Sequence, residues 1–106
     1  MNLDSLKGVA CSVAWKLKIL GSEDRLCLLF NLLDGEKTVK ELGSLSCVAQ
    51  PSLSQQLTVL RVNQIVSTRR NGKFIYYAIQ DPKVEELLRV IQRLVLNSNS
   101  DIKNHD

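Results

Sequence analysis

Apolar residues recur at intervals of three and four along most of this chain, which is the period of a helix that buries one face. The pattern predicts a first helix over residues 4–20 and a break at Gly21. A second helix follows the capping residue Ser22 and ends where Asp34 and Gly35 interrupt the pattern. The apolar stripe of the first helix consists of Leu6, Val9, Val13, Leu17 and Leu20.

A capping box predicts a third, short helix. Thr38 supplies a hydroxyl at the cap and Glu41 supplies a carboxylate three residues later, so each side chain can bond the backbone N–H of the other residue. We expect Val39, Leu42 and Leu45 to face inward on this helix.

A fourth helix is predicted from Pro51 to Val62, because proline suits the first position of a helix. This helix is expected to bury Leu53, Leu57 and Leu60. Together with the third helix and the short break between them, it has the dimensions of a helix-turn-helix motif. Its exposed face is predicted to carry Ser52, Ser54, Gln55, Thr58 and Arg61.

Two β-prone runs predict a hairpin over residues 65–79. They flank Asn71 and Gly72, a dipeptide that is the strongest short signal for a two-residue hairpin turn. A last helix then begins at Asp81 and Pro82, which read as an N-cap followed by proline at the first helical position.

This order of elements, with four helices, a hairpin and a last helix, predicts a mainly α fold with a β-hairpin wing, the winged helix-turn-helix. At 106 residues the chain has room for one domain with one core, which we place at residues 1–97. Residues 98–106 are polar apart from Ile102, and we predict a disordered tail there.

The net charge is only +3, but the basic residues are unevenly placed. Between Glu41 and Asp81 no acidic residue occurs, so this window carries charge of one sign. Such a field suggests a polyanionic partner. The basic residues of the window are Arg61, Arg69, Arg70 and Lys73.

The polar helix and the basic hairpin together indicate double-stranded DNA as the partner. Ser54 and Gln55, helped by Ser52, have groups that bond base edges, whereas we expect Gln50 and Thr58 at phosphates. A cationic hairpin beside a recognition helix suits phosphates or the minor groove. The alternative is a winged-helix interaction module whose basic wing contacts RNA or an acidic protein. Preference for a palindromic duplex over a scrambled one distinguishes the two.

Three separated segments resemble the ArsR/SmtB family of bacterial repressors. Residues 17–26 look like the start of the family's second helix, residues 50–61 resemble its recognition helix, and residues 65–77 are similar to its wing. The stretch QPSLSQQL is most similar to the BigR/HlyU-like subgroup, which responds to persulfide or redox state. The resemblance implies a homodimer on a palindromic operator, with helix 51–62 in the major groove and wing 65–79 on the backbone or minor groove.

The last helix carries more apolar residues than one small core needs, so part of its stripe is predicted to lie at a twofold interface. The resemblance implies a homodimer through the first and last helices. On these grounds we assign the dimer interface to Leu6, Val13, Leu87, Leu88, Ile91 and Leu94.

The sensor residues of the family are not carried over. Phe30 and Leu96 stand where the subgroup has its redox cysteines, by ungapped comparison. Thr38 and Lys40 stand where other members have a Cys-x-Cys metal site. We therefore expect no metal and no cofactor, and the sequence identifies no small-molecule or redox effector. A repressor is the function that we favour, and an anti-repressor without an inducer-sensing site is the alternative.

The three cysteines are widely spaced, and we interpret Cys11, Cys27 and Cys47 as small, mostly buried hydrophobic residues. The alternative is that Cys11 and Cys27 form a redox-active pair.

An enzyme is not expected, because the only histidine is His105 in the tail and no glycine-rich phosphate loop occurs. The longest apolar run, residues 26–30, is far shorter than the ~20 residues that span a bilayer. The amino terminus lacks the features of a signal peptide, so we expect a cytoplasmic protein that does not contact the membrane.

Overall fold

The computed structural model describes residues 1–97, so the tail predicted for residues 98–106 lies outside the described residues. The predicted order of four helices, a hairpin and a last helix is confirmed, with one short additional strand. The elements are α1 (Leu3–Leu20), α2 (Glu23–Leu32), β1 (Lys37–Thr38), α3 (Val39–Leu45), α4 (Ser52–Val62), β2 (Val66–Asn71), β3 (Phe74–Ile79) and α5 (Pro82–Leu96).

Side-chain caps mark where four of the helices begin. At the start of α1, Oδ1 of Asn2 accepts a hydrogen bond from the N–H of Ser5. The Ser22 hydroxyl accepts a hydrogen bond from the N–H of Arg25 at the start of α2. Thr38 and Glu41 form the predicted capping box in both directions at the start of α3. Asp81 accepts from two backbone N–H groups at the start of α5. Each cap satisfies donors that a helix end otherwise leaves unpaired.

The hairpin belongs to a three-stranded antiparallel sheet with the order β1-β3-β2. Strand β1 consists of Lys37 and Thr38 alone, and these residues pair with Tyr77 and Tyr76 of β3. A strand of two residues has no periodicity, so the sequence pattern did not predict it.

The turn of the hairpin lies one residue later than predicted. Asn71 pairs with Phe74, so the two loop residues are Gly72 and Lys73 instead of Asn71 and Gly72. Gly72 has a φ of +63°, which glycine adopts without strain at the first loop position of a type II′ turn. Lys73 therefore stands at the tip of the wing.

The core lies between α2, α3, α4 and the base of the hairpin, and the first half of α5 closes it. Its largest fully buried side chains are Leu28, Leu29, Leu42, Leu57, Leu60, Ile65, Val66, Val84 and Leu88. No helix within residues 1–97 combines the length and the apolar composition needed to cross a bilayer.

Helix α3 turns one predicted core residue outward. Leu42 is fully buried and Val39 packs against the core, but Leu45 is 55% exposed, so its predicted inward position is wrong. Steps of three residues drift by about 60° around a helix of 3.6 residues per turn, so the third residue of such a series leaves the inner face. Ser46 faces inward instead and donates its hydroxyl to the carbonyl of Leu42.

Helices α1 and α5 carry apolar side chains on their outer surfaces. Along α1 the predicted stripe is exposed except at its end, where Leu20 is buried. On α5 the stripe divides into two parts, because Val84 and Leu88 are buried in the core while Leu94 is 60% exposed. The prediction that Leu88 lies at a dimer interface is therefore wrong, since its side chain is already covered by its own chain.

Candidate nucleic-acid interface

Helix α4 presents three distinct faces, each with its own chemistry. Leu53, Leu57 and Leu60 form the buried face and hold the helix on the core. Ser52 and Gln56 form a half-buried polar face towards α2. The exposed face carries hydroxyls, an amide and a guanidinium, which are groups that bond base edges and phosphates. Its residues are Ser54, Gln55, Thr58 and Arg61.

Ser52 does not lie on the exposed face, where the sequence pattern placed it. Its side chain is half-buried, and its hydroxyl donates to Oδ2 of Asp24 on α2 at 2.8 Å. The predicted exposure of Ser52 is therefore wrong. The partner carboxylate lies on a different helix, 28 residues earlier in the chain, so no local pattern revealed it.

The start of α4 is capped by Gln50. The helix begins at Ser52, one residue later than predicted, and Pro51 at the cap position makes no side-chain capping bond. Oε1 of Gln50 accepts a hydrogen bond from the N–H of Ser54 at 3.2 Å. This bond orients the Gln50 amide and leaves its NH₂ group as a donor for a phosphate oxygen.

Thr58 is exposed, as predicted, but its hydroxyl is already in use. It donates to the backbone carbonyl of Ser54 at 2.9 Å, one turn earlier on α4. To donate to a phosphate, the Thr58 side chain has to leave that carbonyl. Gln55 has no such bond to the helix within the described part of the chain, and its amide carries both donors and an acceptor.

The wing carries its three cations in different surroundings. Arg69 and Arg70 are neighbours on β2, so their side chains point to opposite faces of the sheet. Nε of Arg70 donates to the carbonyl of Gly72 at 3.2 Å, which holds the guanidinium at the turn. The Lys73 ammonium lies 5.4 Å from the centre of the Phe74 ring. Arg70 and Lys73 thus place two cations at the tip of the hairpin.

Arg69 is engaged within the protein. Its Nε donates to Oε2 of Glu36 at 2.7 Å, its Nη2 donates to Oε1 of the same carboxylate, and its guanidinium lies 4.6 Å from the centre of the Tyr76 ring. The hydrogen bonds from Arg69 hold the pKa of Glu36 below its usual value. Residues 42–80 contain no acidic residue in the sequence, but the fold brings the carboxylate of Glu36 into contact with Arg69. Glu36 lies 33 residues before Arg69 in the chain, so the sequence window did not include it.

The cysteines are not the buried hydrophobic residues that we predicted. Cys11 and Cys47 are exposed, and Cys27 is half-buried. Burial, and after it the charges of Glu23, Asp24 and Cys47, raise the pKa of the Cys27 thiol. Residues 1–97 contain no group of three or more histidine, cysteine, aspartate or glutamate side chains placed to hold a metal ion.

The chain is similar to known transcriptional regulators over nearly its whole length. It is 32% identical over 99 residues to the transcriptional activator HlyU of Vibrio cholerae, and the match covers 93% of this chain and 92% of HlyU. No protein-family model matches the chain.

Solved structures of regulators superpose on the same elements. The crystal structure of the transcriptional repressor BigR from Xylella fastidiosa matches with a TM-score of 0.80 and 39% identity, covering 89% of this chain and 96% of BigR. The homodimeric winged helix-turn-helix DNA-binding domain of Mb0332 from Mycobacterium bovis, described as a possible ArsR-family regulator, matches with a TM-score of 0.72 and 26% identity, covering 90% of this chain and 88% of that domain. The predicted winged helix-turn-helix fold is confirmed.

Proposed function

The chain belongs to the ArsR family of winged-helix DNA-binding transcriptional regulators, and we propose that it binds a palindromic operator as a homodimer and represses transcription there. Membership of this family also makes the chain a regulator and not an enzyme. We place its action in the cytoplasm.

The exposed polar face of α4 is the observation that carries the proposal. Ser54 and Gln55 are consecutive exposed residues on this face, and the leucines of the buried face hold the helix on the core. A glutamine amide makes two hydrogen bonds to adenine in the major groove, so we assign base readout to Gln55 with Ser54 beside it. Gln50, Thr58 and Arg61 are assigned to the phosphates that border the groove.

The wing supports the proposal through charge. Arg70 and Lys73 at its tip suit phosphates or a narrow minor groove. Arg69 joins them only when a phosphate replaces the carboxylate of Glu36 as its partner.

The outward apolar side chains of α1 and α5 support a homodimer. A second copy that covers them places two α4 helices on one duplex, and the related Mb0332 domain is homodimeric. The side chains that we assign to this interface are Leu6, Val13, Leu87, Ile91 and Leu94, all exposed in one chain.

The relatives include both a repressor and an activator, so the similarity itself does not distinguish repression from activation. A repressor is the simpler of the two for a chain of this size, because occupying an operator requires no further surface. The alternatives are an anti-repressor and an interaction module that binds RNA or an acidic protein. The interaction module predicts no preference for a palindromic duplex over scrambled duplex or RNA.

Selection of DNA from a randomised duplex pool tests the proposal. We expect the recovered duplexes to contain inverted half-sites and to bind one dimer each. We also expect them to bind on the order of a thousandfold more tightly than scrambled duplex at physiological salt. Equal affinity for selected duplex, scrambled duplex and RNA of the same length would contradict sequence reading and favour the interaction module.

A further inference from the structure

A set of four polar side chains joins the start of α2 to the half-buried face of α4. Nη1 of Arg25 donates to Oε1 of Gln56 at 2.8 Å, and the Ser52 hydroxyl donates to Oδ2 of Asp24 at 2.8 Å. The amide nitrogen of Gln56 lies 3.5 Å from the Ser52 oxygen, at the long limit of a hydrogen bond. We call these residues, Asp24, Arg25, Ser52 and Gln56, the α2–α4 clamp.

The same arginine also reaches α1. Its Nε donates to the backbone carbonyl of Ile19 at 2.6 Å, in the last turn of α1. One guanidinium therefore bonds α1 and α4 at once while its own backbone belongs to α2. Because the guanidinium is planar and its donors are fixed relative to one another, these two bonds define the relative placement of the helices.

The position of Arg25 in α2 has no local explanation. The first turn of a helix favours negative charge, as Glu23 and Asp24 supply there, and disfavours a cation. Arg25 nevertheless occupies this turn, and its side chain is half-buried against α1 and α4. The bonds to Ile19 and Gln56 compensate for the unfavourable position, which indicates that they are the role of this side chain.

We propose that Asp24 and Arg25 are positioning residues for DNA recognition, which set the rotation of α4 about its own axis and its placement relative to α1. This inference rests on the proposed function, because α4 is the helix assigned to base readout and α1 is assigned to the dimer.

Apolar packing determines which face of α4 is buried, but it restrains a small rotation less sharply than directional bonds do. The contact of Leu53, Leu57 and Leu60 with the core is non-directional, whereas hydrogen bonds from a guanidinium and a hydroxyl are directional. On a helix of about 5–6 Å radius with side chains, a rotation of about 20° moves an exposed tip by roughly 2 Å. That displacement exceeds the tolerance of a hydrogen bond to a base edge, so the clamp acts on specific binding above all.

The experiment compares a duplex selected by the wild-type protein with a scrambled duplex of the same length. Fluorescence anisotropy at fixed salt gives both affinities, and thermal unfolding of each variant is measured in parallel. We expect Arg25→Lys and Gln56→Ala each to weaken binding of the selected duplex about tenfold, the scale of one hydrogen bond to a charged group. Affinity for the scrambled duplex and the salt dependence stay unchanged, because no phosphate contact is lost.

Conservative and matched variants separate positioning from folding. Asp24→Asn keeps an acceptor for the Ser52 hydroxyl and is expected to bind like the wild type, whereas Asp24→Ala loses specific affinity. Gln92→Ala removes a half-buried glutamine amide from α5, outside the clamp, and is expected to change neither affinity. If Arg25→Lys is unfolded, the comparison of Asp24→Ala with Asp24→Asn carries the same test.

A double-mutant cycle completes the test, because Arg25 and Gln56 share one hydrogen bond. The double variant is expected to lose less specific affinity than the sum of the two single losses. Additive losses, or equal losses on selected and scrambled duplexes, overturn the clamp. A wild-type protein that binds both duplexes equally overturns the proposed function and the clamp together. A wild-type protein that discriminates, with clamp variants that discriminate equally well, overturns the clamp alone.

Discussion

The guanidinium of Arg69 donates two hydrogen bonds to the carboxylate of Glu36, so one of the three cations of the wing has a partner before DNA arrives. Both side chains are partly exposed, and an exposed ion pair contributes little to folding. A DNA phosphate can therefore replace the carboxylate, and Glu36 competes with DNA for Arg69.

Removing the charge of Glu36 is predicted to tighten DNA binding. Glu36→Gln leaves Arg69 without its carboxylate, so we expect higher affinity for selected and scrambled duplexes alike and a salt slope steeper by about one. Anisotropy titrations over a range of salt concentrations measure both effects. Glu86→Gln on α5 makes the same charge change away from the wing. If Glu36→Gln and Glu86→Gln increased the affinity for DNA equally, the increase would result from the change in net charge and not from the release of Arg69.

A charge on the outward part of the α5 stripe is predicted to separate the dimer. Ile91 belongs to the part of the stripe that the core leaves uncovered, so Ile91→Lys is expected to give monomers or insoluble protein and to lose operator binding. Glu86→Lys places the same side chain at an exposed position of α5 about 140° around the helix from Ile91, and this variant is expected to stay dimeric. Analytical ultracentrifugation distinguishes monomer from dimer. A wild-type protein that is monomeric at micromolar concentration would contradict the assigned dimer interface.

The local structure of the chain was largely predictable because each signal lies within a few residues. The capping box at Thr38 and Glu41 and the Asp81–Pro82 start of α5 appear where the sequence placed them. The spacing of apolar residues at intervals of three and four predicted the helices, because this signal too lies within a few residues. Strand β1 was missed because it exists only through pairing with β3.

The partners of the site residues were not predictable, because they come from distant parts of the chain. Asp24 turns Ser52 away from the exposed face, and Glu36 engages Arg69. The stripe of α5 also gave no means to separate Leu88, which the core covers, from Ile91, since both follow the same period. Such assignments depend on tertiary contacts that periodicity does not encode.

The stability of the protein is predicted to depend on the ionised form of Asp81. Burial alone would raise the pKa of Asp81, but hydrogen bonds from the Lys16 ammonium and from backbone N–H groups outweigh it, and the pKa lies below its usual value. A lowered folded-state pKa stabilises the protein above the unfolded value of about 4, and the gain is lost as pH falls through the folded value.

Asp81→Asn isolates this charge, because asparagine caps a helix as well as aspartate does. We expect the variant to unfold at a lower temperature than the wild type at pH 7, and the difference to vanish as the solution becomes strongly acidic. Thermal unfolding followed by circular dichroism measures it, with Asp34→Asn at an exposed site as the control. A difference that does not change with pH would contradict the role of the ion pair with Lys16.

DNA binding is predicted to survive polysulfide and peroxide, and zinc or arsenite is expected to have little effect. Neither Phe30 nor Leu96, the positions at which the resemblance places the subgroup's sensor cysteines, is a cysteine, and the raised pKa of Cys27 reduces its reactive thiolate. Anisotropy before and after oxidation, with the mass of the intact protein, tests this. Loss of affinity in step with an intramolecular disulfide or sulfur bridge would reverse the prediction. Cys11→Ser, Cys27→Ser and Cys47→Ser would then identify the thiols.

The most direct test of DNA reading by α4 compares Gln55→Ala with Arg70→Ala on the selected duplex, its single-base variants and a scrambled duplex. Gln55→Ala is predicted to lose about 1–3 kcal/mol on the selected duplex alone and to relax the preference at one base pair of each half-site. Arg70→Ala is predicted to weaken all sequences alike and to flatten the salt slope by about one. Equal weakening of selected and scrambled DNA by Gln55→Ala would contradict base readout by this helix.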